Sequence, residues 1–267
     1  MKIINLKYYT ALLLIALIVS SCQKVIKLDL GDQSGKLVIE ANFTDQVSTQ
    51  VVKLSRNVPF TSTNTYPPVT GAKVTMDNHH GRIVTFNETS PGNYTVDSLG
   101  GIYGRTYTMS VVTGGTTYNA DSTMPQLVVL DSIASATNIF SNKDNTRMIS
   151  VYFRDPKDVP NYYRFIMWVN DVQVKAVFAF DDEFFDGNYV NFNLQQNDID
   201  IYPGDKVRVE MQCIDKPVYT YWFTLSQQQA DNPGGQIAPS NPPTNFTPIV
   251  LGYFSAHTTQ TIELVTK

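Results

Sequence analysis

After Gly35 the chain alternates apolar and polar residues with a period of two, interrupted at short intervals by Gly, Pro, Asn and Asp. This is the pattern of half-buried β-strands joined by tight turns. Leu37, Ile39, Ala41 and Phe43 share one face of a first strand, Val52 and Leu54 mark a second, and Ala72, Val74 and Met76 a third. The polar turn Asp77-Asn78-His79-His80-Gly81 returns the chain into Ile83 to Phe86, and Pro91-Gly92-Asn93 turns it into Tyr94 and Val96. Tyr107, Met109 and Val111 then lead through Gly114-Gly115 to Tyr118 and Ala120. This succession of short strands predicts a β-sandwich over residues 36–125, a module like transthyretin or an immunoglobulin domain.

The strand pattern pauses at Met124-Pro125, and a second antiparallel sandwich is predicted over residues 126–267. Leu127 to Ile133 opens it, and Ile149, Val151 and Phe153 alternate up to Asp155-Pro156. Tyr162 to Val169 is apolar on both faces, as a central strand is. Asn170-Asp171, residue types that tolerate positive φ, turn the chain into one strand carrying Val172, Val174, Ala176, Phe178 and Phe180. Pro203-Gly204-Asp205 leads into Val207 to Cys213. The stretch from Val218 to Gln229 has no clean period, and Gln and Leu at its end predict a short helix over Thr224 to Ala230. Pro233, Pro239, Pro242, Pro243 and Pro248 predict a long loop without a regular element. Two strands, Ile249 to Phe254 and Thr261 to Val265, joined around Ala256-His257, close an all-β chain.

Composition changes this picture only at its edges. With 42% hydrophobic residues among 267, the chain is too apolar to be disordered. A net charge of -4 without clustered Lys or Arg removes the electrostatic footprint of nucleic-acid binding.

The first 22 residues follow a different rule. Lys2 and Lys7 precede an apolar run from Ala11 to Val19 and then Ser20, Ser21 and Cys22, the order of a secretory signal over residues 1–21. The run is too short to span a bilayer. Val19-Ser20-Ser21-Cys22 resembles the bacterial lipobox, which implies cleavage before Cys22, acylation of that thiol, and residues 22–35 as a lipidated tether. Several acyl chains, each worth ~0.8 kcal/mol per buried CH2, hold a soluble domain at a membrane without a protein span. Gln23 rather than Asp follows Cys22, which resembles an outer-membrane destination, with either leaflet open.

Candidate chemistry is sparse. His79 and His80 fall in a turn and His257 stands apart, and no G-x-S-x-G, P-loop or G-x-G-x-x-G motif is present. No catalytic residue and no cofactor other than the lipid on Cys22 is expected. Cys213 shares a strand face with Val207, Val209 and Met211 and reads as a buried packing thiol. Asp181, Asp182, Glu183 and Asp186 concentrate oxygen ligands before Gly187, so a solvated hairpin tip is expected, with a Ca2+ site as the weaker reading; the spacing is not that of an EF-hand. Phe184 and Phe185 inside that tip are candidate contact residues, since exposed aromatics mark interaction surfaces. Tyr219, Tyr221 and Trp222 are weighed as a stacking platform against plain core packing.

The order of several segments is similar to a family of uncharacterised outer-membrane lipoproteins of Bacteroidota, built on a domain of unknown function and encoded near TonB-dependent receptors. The segments include Cys22 to Leu30, Leu37 to Asp45, Gly104 to Val111, Leu130 to Ile133, Asp155-Pro156 with Asn161 to Arg164, Asp181 to Gly187 and Leu251 to Ala256. Asn245 to Pro248 departs from the Gly-rich approach expected there. The resemblance implies a non-enzymatic accessory or ligand-binding subunit beside a TonB-dependent transporter, lipid-anchored at the outer membrane. The alternative is a structural or adhesive surface protein.

Overall fold

The computed structural model describes residues 34–59, 65–228 and 240–267. The first seven strands are β1 (Leu37–Thr44), β2 (Ser48–Arg56), β3 (Lys73–Asp77), β4 (Ile83–Ser90), β5 (Asn93–Leu99), β6 (Thr106–Thr113) and β7 (Thr116–Thr123). Each lies where the alternation placed it. There follow β8 (Leu130–Thr137), β9 (Arg147–Arg154), β10 (Tyr162–Val169), β11 (Val172–Gln173), β12 (Phe178–Asp181), β13 (Tyr189–Asn193) and β14 (Lys206–Cys213). The helix α1 (Lys216–Ser226) and the strands β15 (Phe246–Thr247), β16 (Leu251–His257) and β17 (Gln260–Val265) complete the described elements. The chain is all-β, with sheets packed as a sandwich.

The largest sheet has the order β15-β7-β6-β3-β4-β5-β2-β1-β16. All its pairs are antiparallel except β1 with β16, which run parallel. Ile39, Ala41, Phe43, Val52, Leu54 and Met109 project into one apolar core, to which Phe254 and Ala256 of β16 also belong. A second sheet, β11-β10-β14-β17 with β12 also on β10, packs with a third, β13-β9-β8, over a core of Phe153, Tyr163, Phe165 and Met211. Residues 34–267 form one compact unit. Its closing segment serves both cores, since β16 pairs with β1 and β17 pairs with β14.

Side chains do part of the joining. The Asn245 amide donates from Nδ2 to the carbonyls of Asp121 (3.0 Å) and Phe254 (2.8 Å), and its Oδ1 accepts from Phe254 N (3.0 Å). Together with Ser122 Oγ, which accepts from Ala256 N at 2.9 Å, this side chain joins β7 to β16 where no backbone ladder does.

Four local expectations are corrected. The helix begins at Lys216 and ends at Ser226, several residues earlier than Thr224 to Ala230. Its start is written in Asp215, whose carboxylate accepts from Val218 N at 3.2 Å, and in Pro217 in the first turn, both strong N-terminal signals. The strand expected from Val172 to Phe180 is split. Asn170 and Asp171 do take positive φ (50° and 64°), and Val169 faces Val172, but Phe165 faces Phe178 where an unbroken hairpin would place Ala176. Two extra residues are bulged out of the ladder. The Pro-rich stretch contains a two-residue strand, β15, because Phe246 is buried against the first core and pairs with Ala120. Finally, β16 runs through His257 and turns at Thr258 and Thr259, with its two flanking strands in different sheets.

Candidate interaction site

The acidic segment singled out in the sequence is the connection between β12 and β13. Its carboxylates are staples for the loops around it. Asp182 Oδ2 accepts from Asn161 N at 2.8 Å, and Asp186 Oδ1 accepts from Asp158 N at 2.8 Å. Asp181 turns away and accepts from the Tyr219 hydroxyl at 2.9 Å, while Glu183 is exposed. The residue that joins Asp182 and Asp186 is Asp155: one oxygen from each of the three lies within 4.8 Å of the others. Asp155 is buried; it accepts from the Tyr163 hydroxyl and from Gly187 N at 3.0 Å. Burial pushes its carboxyl pKa up, helped by the neighbouring charges of Asp182 and Asp186 and opposed by its two hydrogen bonds. Tyr163 is raised well above the ordinary phenol range, first by burial and then by its bond to Asp155. This trio offers three of the six to eight hard oxygens a Ca2+ ion takes. Asp155 was legible in the sequence only as the end of a strand, and nothing in its spacing ties it to a loop that follows so much later.

The two phenylalanines of the loop part company. Phe184 is 91% exposed. Phe185 turns inward against Phe192 (5.1 Å between ring centroids), Phe153 (6.2 Å) and Tyr163 (6.3 Å). Anchored from below by Phe185 and pinned by three carboxylates, the loop presents Phe184 on a backbone with little freedom left to lose.

Tyr219, Tyr221 and Trp222 stand on α1, which packs into a third apolar cluster with Ile214, Val218 and Tyr253. Tyr219 lies on Tyr162 at 5.0 Å; Tyr221 and Trp222 meet Tyr253 at 4.8 and 5.2 Å. Beneath them the Arg164 guanidinium sits 3.5 Å from the centre of the Trp222 ring and donates to Gln212 Oε1 at 3.1 Å. Burial pushes the Tyr221 hydroxyl up to about 12. These rings bind α1 to the sheets.

A buried histidine and two buried carboxylates respond to acid in opposite senses. His257 is buried, its Nδ1 2.9 Å from Ser255 Oγ, and burial together with the Arg164 charge pushes its pKa down to about 3. A histidine depressed below its unfolded value near 6.5 contributes stability at neutral pH that is lost as pH falls, because only the unfolded chain takes up the proton. Between pH 7 and pH 5 the loss is about 2 kcal/mol. Asp155 and Asp215, both raised chiefly by burial, act in the opposite sense and relieve the fold as they are protonated. The expected result is that His257→Gln flattens the decline of urea stability between pH 7 and pH 5; an unchanged slope would refute the assignment.

The other reactive side chains are quiet. Cys213 is buried, its Sγ 3.4 Å from Val128 N, and burial pushes its pKa up, away from thiolate chemistry. His79 takes positive φ in the predicted turn and its Nε2 lies 2.8 Å from Thr108 Oγ1, while His80 is exposed beside it. Among the described residues, no helix is long and apolar enough to cross a membrane. Cys22 and its neighbours lie outside the described residues.

Comparison with known proteins identifies a family. The model of a family described as "Domain of unknown function (DUF4249)" matches residues 23–263. No curated protein matches. Among solved structures, the Yersinia pseudotuberculosis adhesin InvE is similar at 19% identity, over 67% of this chain and 57% of that one, with a TM-score of 0.20. The chain thus spans somewhat more than half the length of that structure.

Proposed function

We propose that this chain, which belongs to the DUF4249 family of domains of unknown function, is a lipoprotein of the bacterial outer membrane that serves, without catalysis, as an accessory or ligand-binding subunit beside a TonB-dependent transporter. The Bacteroidota lipoproteins it resembles supply the neighbour, and the charged leader followed by Ser20-Ser21-Cys22 supplies the anchor. A non-enzymatic role is supported by the state of its reactive groups: a buried histidine held neutral, a buried thiol, and Asp155, Asp181, Asp182 and Asp186 engaged by backbone N–H groups and tyrosine hydroxyls.

One observation carries the reading. Phe184 is held almost fully in solvent on a stapled loop, and an isolated exposed aromatic on a preorganised backbone is what a protein contact uses as its anchor. The flanking acidic residues suit a partner with a basic rim.

The test is affinity purification of the C-terminally tagged full chain in native detergent. Recovery of an outer-membrane receptor is expected, with Phe184→Ala reducing that recovery and leaving thermal stability unchanged. Cys22→Ser is expected to abolish incorporation of labelled palmitate and release the protein from the envelope. A chain that stays in the envelope after Cys22→Ser, or that purifies with no receptor, would overturn the proposal.

A further inference from the structure

The two-residue bulge between β11 and β12 opens one end of the second pair of sheets. There the bulged segment 174–177, the β8–β9 connection and residues 193–201 surround a cleft of about 1130 Å³. Single-molecule sites run to roughly 300–1,000 Å³, so this cleft has room for a chain of several rings.

Its chemistry is neutral and amphipathic. The charges that line it are largely committed at home: Lys143 Nζ pairs with Asp200 at 2.5 Å, Asp198 Oδ2 accepts from Lys175 N at 2.7 Å, and Arg147 Nε donates to the Lys267 carbonyl at 2.5 Å. Five of the side-chain amides are not, unlike that of Gln196, which donates to the Ile199 carbonyl and accepts from Asp198 N (2.9 Å) and Ile199 N (2.8 Å). Asn142, Gln195 and Asn197 make no side-chain hydrogen bond among the described residues. Asn138 and Asn193 use only their carbonyl oxygens, accepting from Phe140 N (3.0 Å) and Ser150 Oγ (2.7 Å). Each therefore keeps two N–H donors. Between these amides stand Phe140, 66% exposed, and Phe180, whose ring is backed by Phe192 in a stacked pair at 4.8 Å.

We infer that this cleft binds a neutral oligosaccharide. Paired donors and acceptors of side-chain amides match vicinal hydroxyls, and the flat apolar face of a sugar ring lies on an aromatic ring. The lining sets Lys143, Arg147 and Lys175 against Asp198 and Asp200, so it offers no concentrated charge of one sign to an ionic ligand, and a lipid would strip water from the amides without replacing their hydrogen bonds. The inference rests on the ligand-binding half of the proposed function and is independent of the anchor and of the transporter.

Binding is measured on the full chain in detergent, without any partner, by saturation-transfer NMR and calorimetry. The probes are hexasaccharides of glucose, mannose, xylose and N-acetylglucosamine, with an unstructured polar peptide as competitor. At least one neutral hexasaccharide is expected to bind. Phe140→Ala, at a side chain already in solvent, is expected to weaken it about fivefold to tenfold. Asn197→Ala weakens it as well, and Ile83→Ala, at an exposed side chain of β4 in the first sheet, leaves it unchanged. The inference is overturned if no hexasaccharide binds at millimolar concentration, if both cleft variants bind like the parent, or if the peptide binds more tightly. A negative result here leaves receptor recovery untouched, and failure of receptor recovery leaves sugar binding untouched.

Discussion

Gly252→Ala is expected to disable the pairing of β16 with β1. Gly252 faces Ile39 in the parallel β1–β16 ladder with φ at +96°, a conformation L-residues avoid. A Cβ added there would stand 2.0 Å from the Ile39 carbonyl oxygen and 2.8 Å from its carbon. Both are backbone atoms of a fully buried residue, so no side-chain rotation relieves the contact. Either β16 separates from β1, withdrawing Phe254 and Ala256 from the first core, or the local backbone flips and breaks the ladder. The loss should reach about 4 kcal/mol or more, the range reserved for strain combined with core disruption. Gly114→Ala is the control: its φ is also positive (57°), but nothing lies within 4 Å of the added carbon. It should cost only about 1 kcal/mol. Urea midpoints of the two variants check the contrast, and equal losses would show that conformation alone, without the Ile39 contact, sets the cost.

Asp215→Ala is expected to be nearly as damaging, because one carboxylate serves two elements. It caps α1 through Val218 N, and its Oδ2 also accepts from Ser122 Oγ at 2.7 Å and Thr123 N at 2.9 Å at the end of β7. Ser122 in turn accepts from Ala256 N at 2.9 Å, so the chain of bonds runs from the helix cap through β7 to β16. Truncation removes a cap worth about 1 kcal/mol and leaves two further donors without their acceptor, at about 1–3 kcal/mol each, for a total on the order of 3–7 kcal/mol. Asp215→Asn keeps one acceptor oxygen and should recover part of this. Burial raises the Asp215 pKa, so its ionised form weighs against folding as pH rises through that value. The gap in stability between parent and Asp215→Asn should therefore widen in the parent's favour on mild acidification. A gap independent of pH would show that the carboxyl titrates alike in the folded and unfolded chain.

The strands of the first sheet were legible almost residue by residue, since Ile39, Val52, Val74, Met109 and Ala120 point the way their spacing requires. The second set was read less completely. β13 was missed, although Tyr189 to Asn193 alternates and Val190 is buried against the core. α1 was misplaced because the aromatic run of Tyr219 to Phe223 hid the stronger signal of Asp215 followed by Pro217. At the site, Phe184 is exposed and Phe185 is rotated into the core, and nothing local in the sequence separates the two.

The sequence by itself determined the all-β character, the inward face of most strands and the turn at Asn170-Asp171. All of these depend on side-chain direction and backbone preference within a few neighbouring residues. Only the tertiary structure decided that β16 would lie parallel to β1, that Asp155 would meet Asp182 and Asp186, and that a bulge would open a cleft between the sheets. Those outcomes depend on which distant surfaces bury one another, and burial is a property of the assembled chain: a strand's pattern fixes which side is apolar but not which neighbour covers it.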